Sequence, residues 1–127
     1  MIRENKESDL YQDLYSYKYG GEETTIYSKK KAFESGVVKN SNGRTLRYAV
    51  FDENSMNLLF ISTHNMNGMS AESISARCIQ YKELFDWISG MIALKGYSSN
   101  NDIKAPYHDY CIIGMDSNSA TDVEKNS

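Results

Sequence analysis

Cysteine is scarce in this sequence, and its few cysteines form no recognisable pattern. Only Cys78 and Cys111 occur among the 127 residues, far apart and without a CxxC or Cys/His spacing. Structural zinc sites use four such ligands at short spacings, so the pattern gives no indication of zinc. Because both cysteines lie in apolar stretches, we expect two buried thiols, which fits a reducing compartment.

Long apolar runs and a strong net charge are also missing. No apolar run approaches the ~18 residues that cross a bilayer, and the polar start does not resemble a signal peptide. We therefore expect no membrane span, and a cytoplasmic location if this start is the genuine one. The net charge of −3 gives no global attraction to a phosphate backbone, so charge alone does not indicate nucleic acid.

What the sequence does contain is a series of strand patterns in its first half. Residues 24–27 form a short β-prone run, and residues 36–64 alternate β-prone segments with turn residues. The turns fall at Asn40–Gly43, which includes an Asn-Gly pair, and at Asp52–Ser55. We predict three consecutive antiparallel strands, the last of which, Leu58–Ile61, is apolar enough to be covered on both faces.

Two helices and one further strand complete the predicted order. Residues 8–18 have the spacing of a short amphipathic helix, and a long helix is predicted from an N-cap at Ser70 to about Leu94. Its apolar stripe would be Ile74, Cys78, Tyr81, Phe85, Ile88 and Ile92. Residues 96–109 predict an irregular connection, and residues 110–114 a buried strand. One α+β domain results, with helices covering a mostly antiparallel sheet.

Polar residues follow two of the apolar strands at the point where each strand ends. His64 closes the first segment, and Asp116 and Asn118 follow the second. Taken singly, a histidine at a strand end is usually a surface residue, and Asp-x-Asn is usually turn chemistry. Together, an imidazole, a carboxylate and a carboxamide at one sheet edge could share a phosphate and orient water.

The ordered set of motifs resembles the endonuclease/exonuclease/phosphatase superfamily over roughly residues 24–119. The motifs are Ser28-Lys29 after a short strand, Thr63-His64 after an apolar strand, Arg77-x-x-Gln80 in the next helix, and Gly114-x-Asp116-x-Asn118-Ser119. This superfamily includes pancreatic deoxyribonuclease, abasic-site endonucleases, neutral sphingomyelinases and inositol phosphatases. The resemblance implies part of a four-layer α/β sandwich.

The resemblance also implies roles for individual residues in a phosphoester hydrolase that uses Mg²⁺ or Mn²⁺. His64 would contact the scissile phosphate, Asp116 would activate or orient water and bind the metal ion, and Asn118 would contact the phosphate or the metal ion. Glu4 is a further candidate metal ligand, although a solvated carboxylate is the simpler interpretation. Arg77 and Gln80 would tie the helix to neighbouring loops. The substrate would be a nucleic acid, a phospholipid head group or an inositol phosphate.

Departures from the family pattern favour alternatives that the sequence leaves open. Ser117 replaces the usual aromatic residue, Asn65 replaces the usual leucine, and the family's opening Asn strand and closing Ser-Asp-His are absent. We therefore expect residues 1–127 to be a single partial domain, with disordered or truncated ends at 1–7 and 120–127. We also expect little or no turnover in isolation, and association through exposed sheet edges. The alternatives are a non-catalytic remnant or binding module on this scaffold, and an unrelated α+β domain.

Overall fold

A computed structural model describes residues 14–21 and 23–118, and it confirms the α+β class. A six-stranded sheet has the strand order β7-β6-β3-β4-β5-β8, and a separate two-stranded ribbon pairs β1 with β2. The strands are β1 Tyr17–Gly20, β2 Thr25–Ser28, β3 Glu34–Lys39, β4 Thr45–Glu53, β5 Met56–His64, β6 Leu94–Gly96, β7 Asp102–Ile103 and β8 Tyr110–Asp116, and the helix α1 is Ala71–Ile88.

The antiparallel meander predicted for residues 36–64 is confirmed as β3, β4 and β5. Between β3 and β4, the amide of Gly43 donates to the carbonyl of Asn40 at 3.0 Å, and Gly43 has a φ of 80°. A glycine adopts this left-handed conformation without steric cost. Between β4 and β5, Asn54 and Ser55 both have positive φ values, as a two-residue hairpin turn requires.

The strand β8 pairs with β5 in parallel, and this pair is the only parallel one in the described sheet. A long connection through α1, β6 and β7 separates the two strands in sequence. The irregular connection predicted for residues 96–109 therefore contains the short strand β7. The prediction of a buried strand at 110–114 is wrong, because β8 lies at the edge of the sheet and Ile112 is 51% exposed.

The predicted long helix is present, but it is shorter than predicted and it buries a different set of residues. Ser70 caps it as predicted, accepting a hydrogen bond from the amide of Ser73 at 3.1 Å. The helix ends at Ile88 rather than Leu94, since Ser89 is the C-cap and Gly90 follows with a φ of 76°, a common way to terminate a helix.

The buried face of α1 is not the predicted apolar stripe. The stripe is wrong at Cys78 and Phe85, which are exposed, whereas Ile88 and Ile92 do pack against the main core. The prediction of a buried Cys78 thiol is wrong for the same reason. The buried residues follow the same helical spacing one position away, and they are Arg77, Gln80, Leu84 and Trp87. Cys111 is half-buried, and burial raises the pKa of its thiol.

The sheet packs on both faces. Beneath α1 lies the main core, which consists of Val38, Leu46, Tyr48, Val50, Leu59, Ile61, Leu84, Trp87 and Leu94. On the opposite face, Tyr19 and Ile26 of the β1–β2 ribbon pack against a smaller cluster of Ala32, Ala49 and Phe51. We call these the helix face and the ribbon face. Within the described residues, no helix is long and apolar enough to cross a bilayer.

The N-terminal helix prediction is only partly covered. Residues 8–13 lie outside the described residues, and Glu4 does as well. At the other end the prediction is wrong, because Tyr17 and Lys18 belong to β1, where they pair with Ser28 and Tyr27 of β2. Cross-strand pairing has overridden the helical spacing here.

Candidate functional site

The parallel pairing of β5 and β8 places the last residues of the two strands side by side. His64 is the register partner of Asp116, and its Nε2 lies 3.4 Å from the Asp116 Oδ2. The side chains remain open to solvent, at 33% exposed for His64 and 63% for Asp116. The structure therefore brings together the imidazole and the carboxylate that the sequence singled out.

Asn118 is fixed beside this pair by a turn that joins the ends of both strands. Its backbone amide donates to the Asp116 Oδ1 at 3.1 Å, and its side-chain amide donates to the carbonyl of Asn65 at 2.8 Å. The amide of Asn65 in turn donates to the Asp116 carbonyl at 2.9 Å. Asn118 adopts a φ of 52°, a conformation that asparagine tolerates better than most residues.

Asn65, the residue that follows His64, has a structural role here. Asn65 is buried, at 3% exposed, and its side-chain nitrogen approaches the Met115 sulfur at 3.7 Å. Its backbone makes the two hydrogen bonds that connect the end of β5 to the end of β8 and the turn after it. The polar side chain thus lies in a buried position, where it finds a weak acceptor.

The site lies in an open cleft of about 390 Å³ on the ribbon face, which we call the His64 cleft. It is lined by Glu23, Ser62, Thr63, His64, Gly114, Met115 and Asp116. Gly114 presents no side chain, so the floor between β5 and β8 stays open.

Glu23 is the residue that the sequence analysis missed. It lies between β1 and β2 and reaches the cleft from the ribbon. The Arg44 Nη1 binds its Oε1 at 2.9 Å, so this carboxylate is held by a cation of the β3–β4 turn. Its only sequence signal is the polar turn after Gly20-Gly21, which does not reveal its tertiary neighbours.

Arg77 and Gln80 support the loop that follows His64, as predicted. The Arg77 Nη1 donates to the carbonyls of Met66 and Gly68 at 3.0 and 2.6 Å, and the Gln80 Oε1 accepts from the Met66 amide at 2.8 Å. Arg77 is 1% exposed, so its donors are satisfied by the backbone rather than by solvent. Neither residue lines the His64 cleft.

The remaining motif residues lie elsewhere. Ser28 and Lys29 line a different cavity, beside Phe51 and Phe60. The other histidine, His108, is half-buried, and its Nδ1 is 2.9 Å from the Pro106 carbonyl oxygen. These residues do not join the site at the ends of β5 and β8.

The oxygen donors of the cleft fit a hydrated Mg²⁺ or Mn²⁺ ion better than a metal held by protein alone. Within residues 14–21 and 23–118, no group of three or more His, Cys, Asp or Glu side chains could enclose a metal ion. Asp116 and Glu23 nevertheless line the same cleft. Mg²⁺ commonly binds one or two carboxylates while keeping several waters and contacting a substrate phosphate.

Comparison with protein-family models, with curated proteins and with solved structures finds no match to this chain.

Proposed function

We propose that the His64 cleft is the site of a metal-dependent phosphoester hydrolase, in which water attacks a phosphodiester or phosphomonoester. The observation that carries this proposal is the 3.4 Å approach of His64 to Asp116. The Asn118 turn, which is bonded to both strand ends, adds support. The imidazole and the carboxylate then face one open cleft, with the Asn118 carboxamide bound beside it, and this combination suits attack on phosphorus.

Each residue has a distinct role in the proposed reaction. The Asp116 carboxylate accepts a hydrogen bond from the attacking water and takes its proton as the new P–O bond forms. The protonated His64 imidazole donates to a non-bridging phosphate oxygen and stabilises the growing negative charge. The ester P–O bond opposite the water breaks, and the leaving oxygen takes a proton from solvent.

A divalent cation would be held by Asp116, with Glu23 and Asn118 as further oxygen donors in or beside the cleft. When bound, Mg²⁺ or Mn²⁺ neutralises charge on the phosphate and lowers the pKa of its bound water. Arg44 competes for Glu23, so Asp116 is the principal ligand in this proposal. The substrate class stays open among nucleic acid, phospholipid head group and inositol phosphate.

Metal binding is the first test, because it does not depend on turnover. In ¹⁵N-labelled protein, Mn²⁺ should broaden the amide signals of His64, Asp116 and Asn118 at lower concentration than those of the helix α1. Asp116→Asn should remove this selectivity because it removes the principal anionic ligand. Asp102→Asn is the matched control, since this exposed carboxylate lies outside the cleft.

Turnover is the second test, and a measurable rate would overturn the expectation that the isolated chain has little or no turnover. Hydrolysis of bis(p-nitrophenyl) phosphate with Mn²⁺ should fall by about 10²-fold or more in Asp116→Asn and in His64→Ala, but not in Asp102→Asn. Selective Mn²⁺ binding without any hydrolysis would favour a binding module on the same scaffold. A hydrolysis rate that is equal in wild type and Asp116→Asn would contradict the proposed mechanism.

A further inference from the structure

Arg47 lies on the ribbon face, and its guanidinium has no charged partner among the described residues. It lies in β4, and its buried Nε has no hydrogen-bond partner. Within residues 14–21 and 23–118 its guanidinium also forms no ion pair, whereas Arg44 is bound to Glu23. A guanidinium carries five donors in a planar fork that matches phosphate and carboxylate oxygens. An unpaired guanidinium that lines a cavity is therefore available to bind an anion.

Arg47 lines a cavity of its own next to the His64 cleft. This cavity, which we call the Arg47 pocket, has a volume of about 240 Å³, and Thr24, Thr45 and Tyr97 form part of its wall. The Lys39 Nζ lies over the ring of Tyr97, 4.7 Å from the ring centroid. The pocket thus combines the Arg47 guanidinium, three hydroxyl-bearing side chains and a nearby ammonium group, all of which favour an anion. Its one carboxylate, that of Glu23, is paired with Arg44.

The register of the sheet places the Arg47 pocket beside the His64 cleft. Arg47 is paired with Ser62 of β5, and Ser62 is paired with Gly114 of β8. Ser62 and Gly114 line the His64 cleft, and Glu23 lines both cavities. Arg47 and Asp116 are two strands apart across the sheet and two residues apart along it, or roughly 12 Å between Cα atoms from ordinary strand dimensions. One extended ligand can therefore reach both places.

We propose that Arg47 binds a second phosphate group of the substrate, whose reacting phosphate lies at His64 and Asp116. This inference rests on the proposed function and narrows its substrate class to phosphoesters that carry at least two phosphate groups. The Glu23 carboxylate lines both cavities, but Arg44 balances its charge. The unpaired guanidinium of Arg47 is then available to the distal phosphate, which it can bind through two parallel hydrogen bonds.

Binding calorimetry on the full chain tests this inference without requiring turnover. The probes are two matched pairs, adenosine 3′,5′-bisphosphate with adenosine 5′-monophosphate, and inositol 1,4-bisphosphate with inositol 1-phosphate. In at least one pair, the wild type should bind the bisphosphate about tenfold or more tightly, as expected for an added charge-assisted contact. The pair that shows the larger ratio identifies whether the phosphates are carried by a nucleoside or by a polyol.

Arg47→Gln should bring the ratio of the two affinities close to one, and Arg47→Lys should leave an intermediate ratio because it keeps the charge but not the fork. Lys104→Gln removes an exposed charge outside both cavities, so it should leave the ratio unchanged. Thermal melting of each variant separates loss of binding from loss of folding. The Arg47→Lys variant keeps the test meaningful if Arg47→Gln does not fold.

Equal affinity of the wild type for both members of each pair would overturn this inference, as would a preference that survives in Arg47→Gln. Failure of the proposed function has a different signature. If bis(p-nitrophenyl) phosphate is not hydrolysed but the Arg47-dependent preference is present, the second phosphate site stands and the hydrolase proposal falls.

Discussion

The two faces of the six-stranded sheet differ in chemistry although the same strands form both. On the helix face, side chains from β3, β4 and β5 form an apolar core that α1 closes. On the ribbon face, the apolar cluster is small, and the strand ends carry His64, Asp116 and Arg47 around two open cavities. Because side chains alternate along a strand, the same strand can carry apolar core residues on one face and polar, reactive residues on the other.

This difference shows which face holds the fold together. Trp87 is fully buried on the inner side of α1. Its indole nitrogen donates to the Ile103 carbonyl at 3.0 Å, and its ring centroid lies 5.5 Å from that of Tyr48. The ribbon face exposes Tyr110 and Ile112 instead. The helix face therefore supplies most of the hydrophobic stabilisation, while the ribbon face can keep polar groups accessible to a ligand.

The largest expected effect comes from matched substitutions on the two faces. Ile61 is 2% exposed on β5, and Ile112 is 51% exposed on the neighbouring β8. Ile61→Ala should lower the free energy of unfolding by about 2–5 kcal/mol, and Ile112→Ala by only about 0.5 kcal/mol. Urea unfolding measures both values. Similar losses for the two variants would mean that Ile112 is packed on the ribbon face as tightly as Ile61 is on the helix face.

A second, smaller effect concerns the polar groups buried beneath α1. Arg77→Met keeps the length of the side chain but leaves the carbonyls of Met66 and Gly68 without their donor. We expect a loss of about 1–3 kcal/mol in the free energy of unfolding. Arg77→Lys should recover only part of it, because one ammonium group does not reproduce the fork. A neutral effect of Arg77→Met would show that the loop after His64 does not depend on the helix.

The smallest expected effect is a difference between the reaction rates of the two cysteine thiols, and it does not concern the stability of the fold. Cys78 is exposed on α1, whereas Cys111 packs against the helix-face core and burial raises the pKa of its thiol. Cys78 should therefore react with a disulfide reagent such as DTNB roughly tenfold faster than Cys111 at neutral pH. Comparison of the Cys78→Ser and Cys111→Ser variants assigns the two rates. Equal rates would show that the helix face opens to solvent on the timescale of the reaction.

Local sequence signals were sufficient for the elements whose cues lie within a few residues. Turn chemistry at Asn40–Gly43 predicted the β3–β4 hairpin, and Ser70 predicted the start of α1. The same kind of reasoning failed where a stronger tertiary contact competed with periodicity. Arg77 and Gln80 interrupt the apolar pattern of α1, so the pattern pointed to the wrong face, although these two residues are buried because loop carbonyls and amides satisfy them.

The candidate site likewise contains some residues that the sequence could identify and others that it could not. His64, Asp116 and Asn118 could be selected from the sequence because each stands where an apolar strand ends, and the structure places them together. Their roles in hydrolysis stay predictions. Glu23 and Arg47 could not be selected, because no motif marks them and their neighbours come from distant strands.

The sequence by itself determined the α+β class, the meander, the helix start and the polar residues that close two strands. Only the tertiary structure decided that β8 lies parallel to β5, which face of α1 is buried, and which charged groups surround the cleft. The physical reason is the range of the interactions. Turns and caps depend on neighbours along the chain, whereas strand pairing and the desolvation of charges depend on residues that are far apart in sequence and meet only in the folded chain.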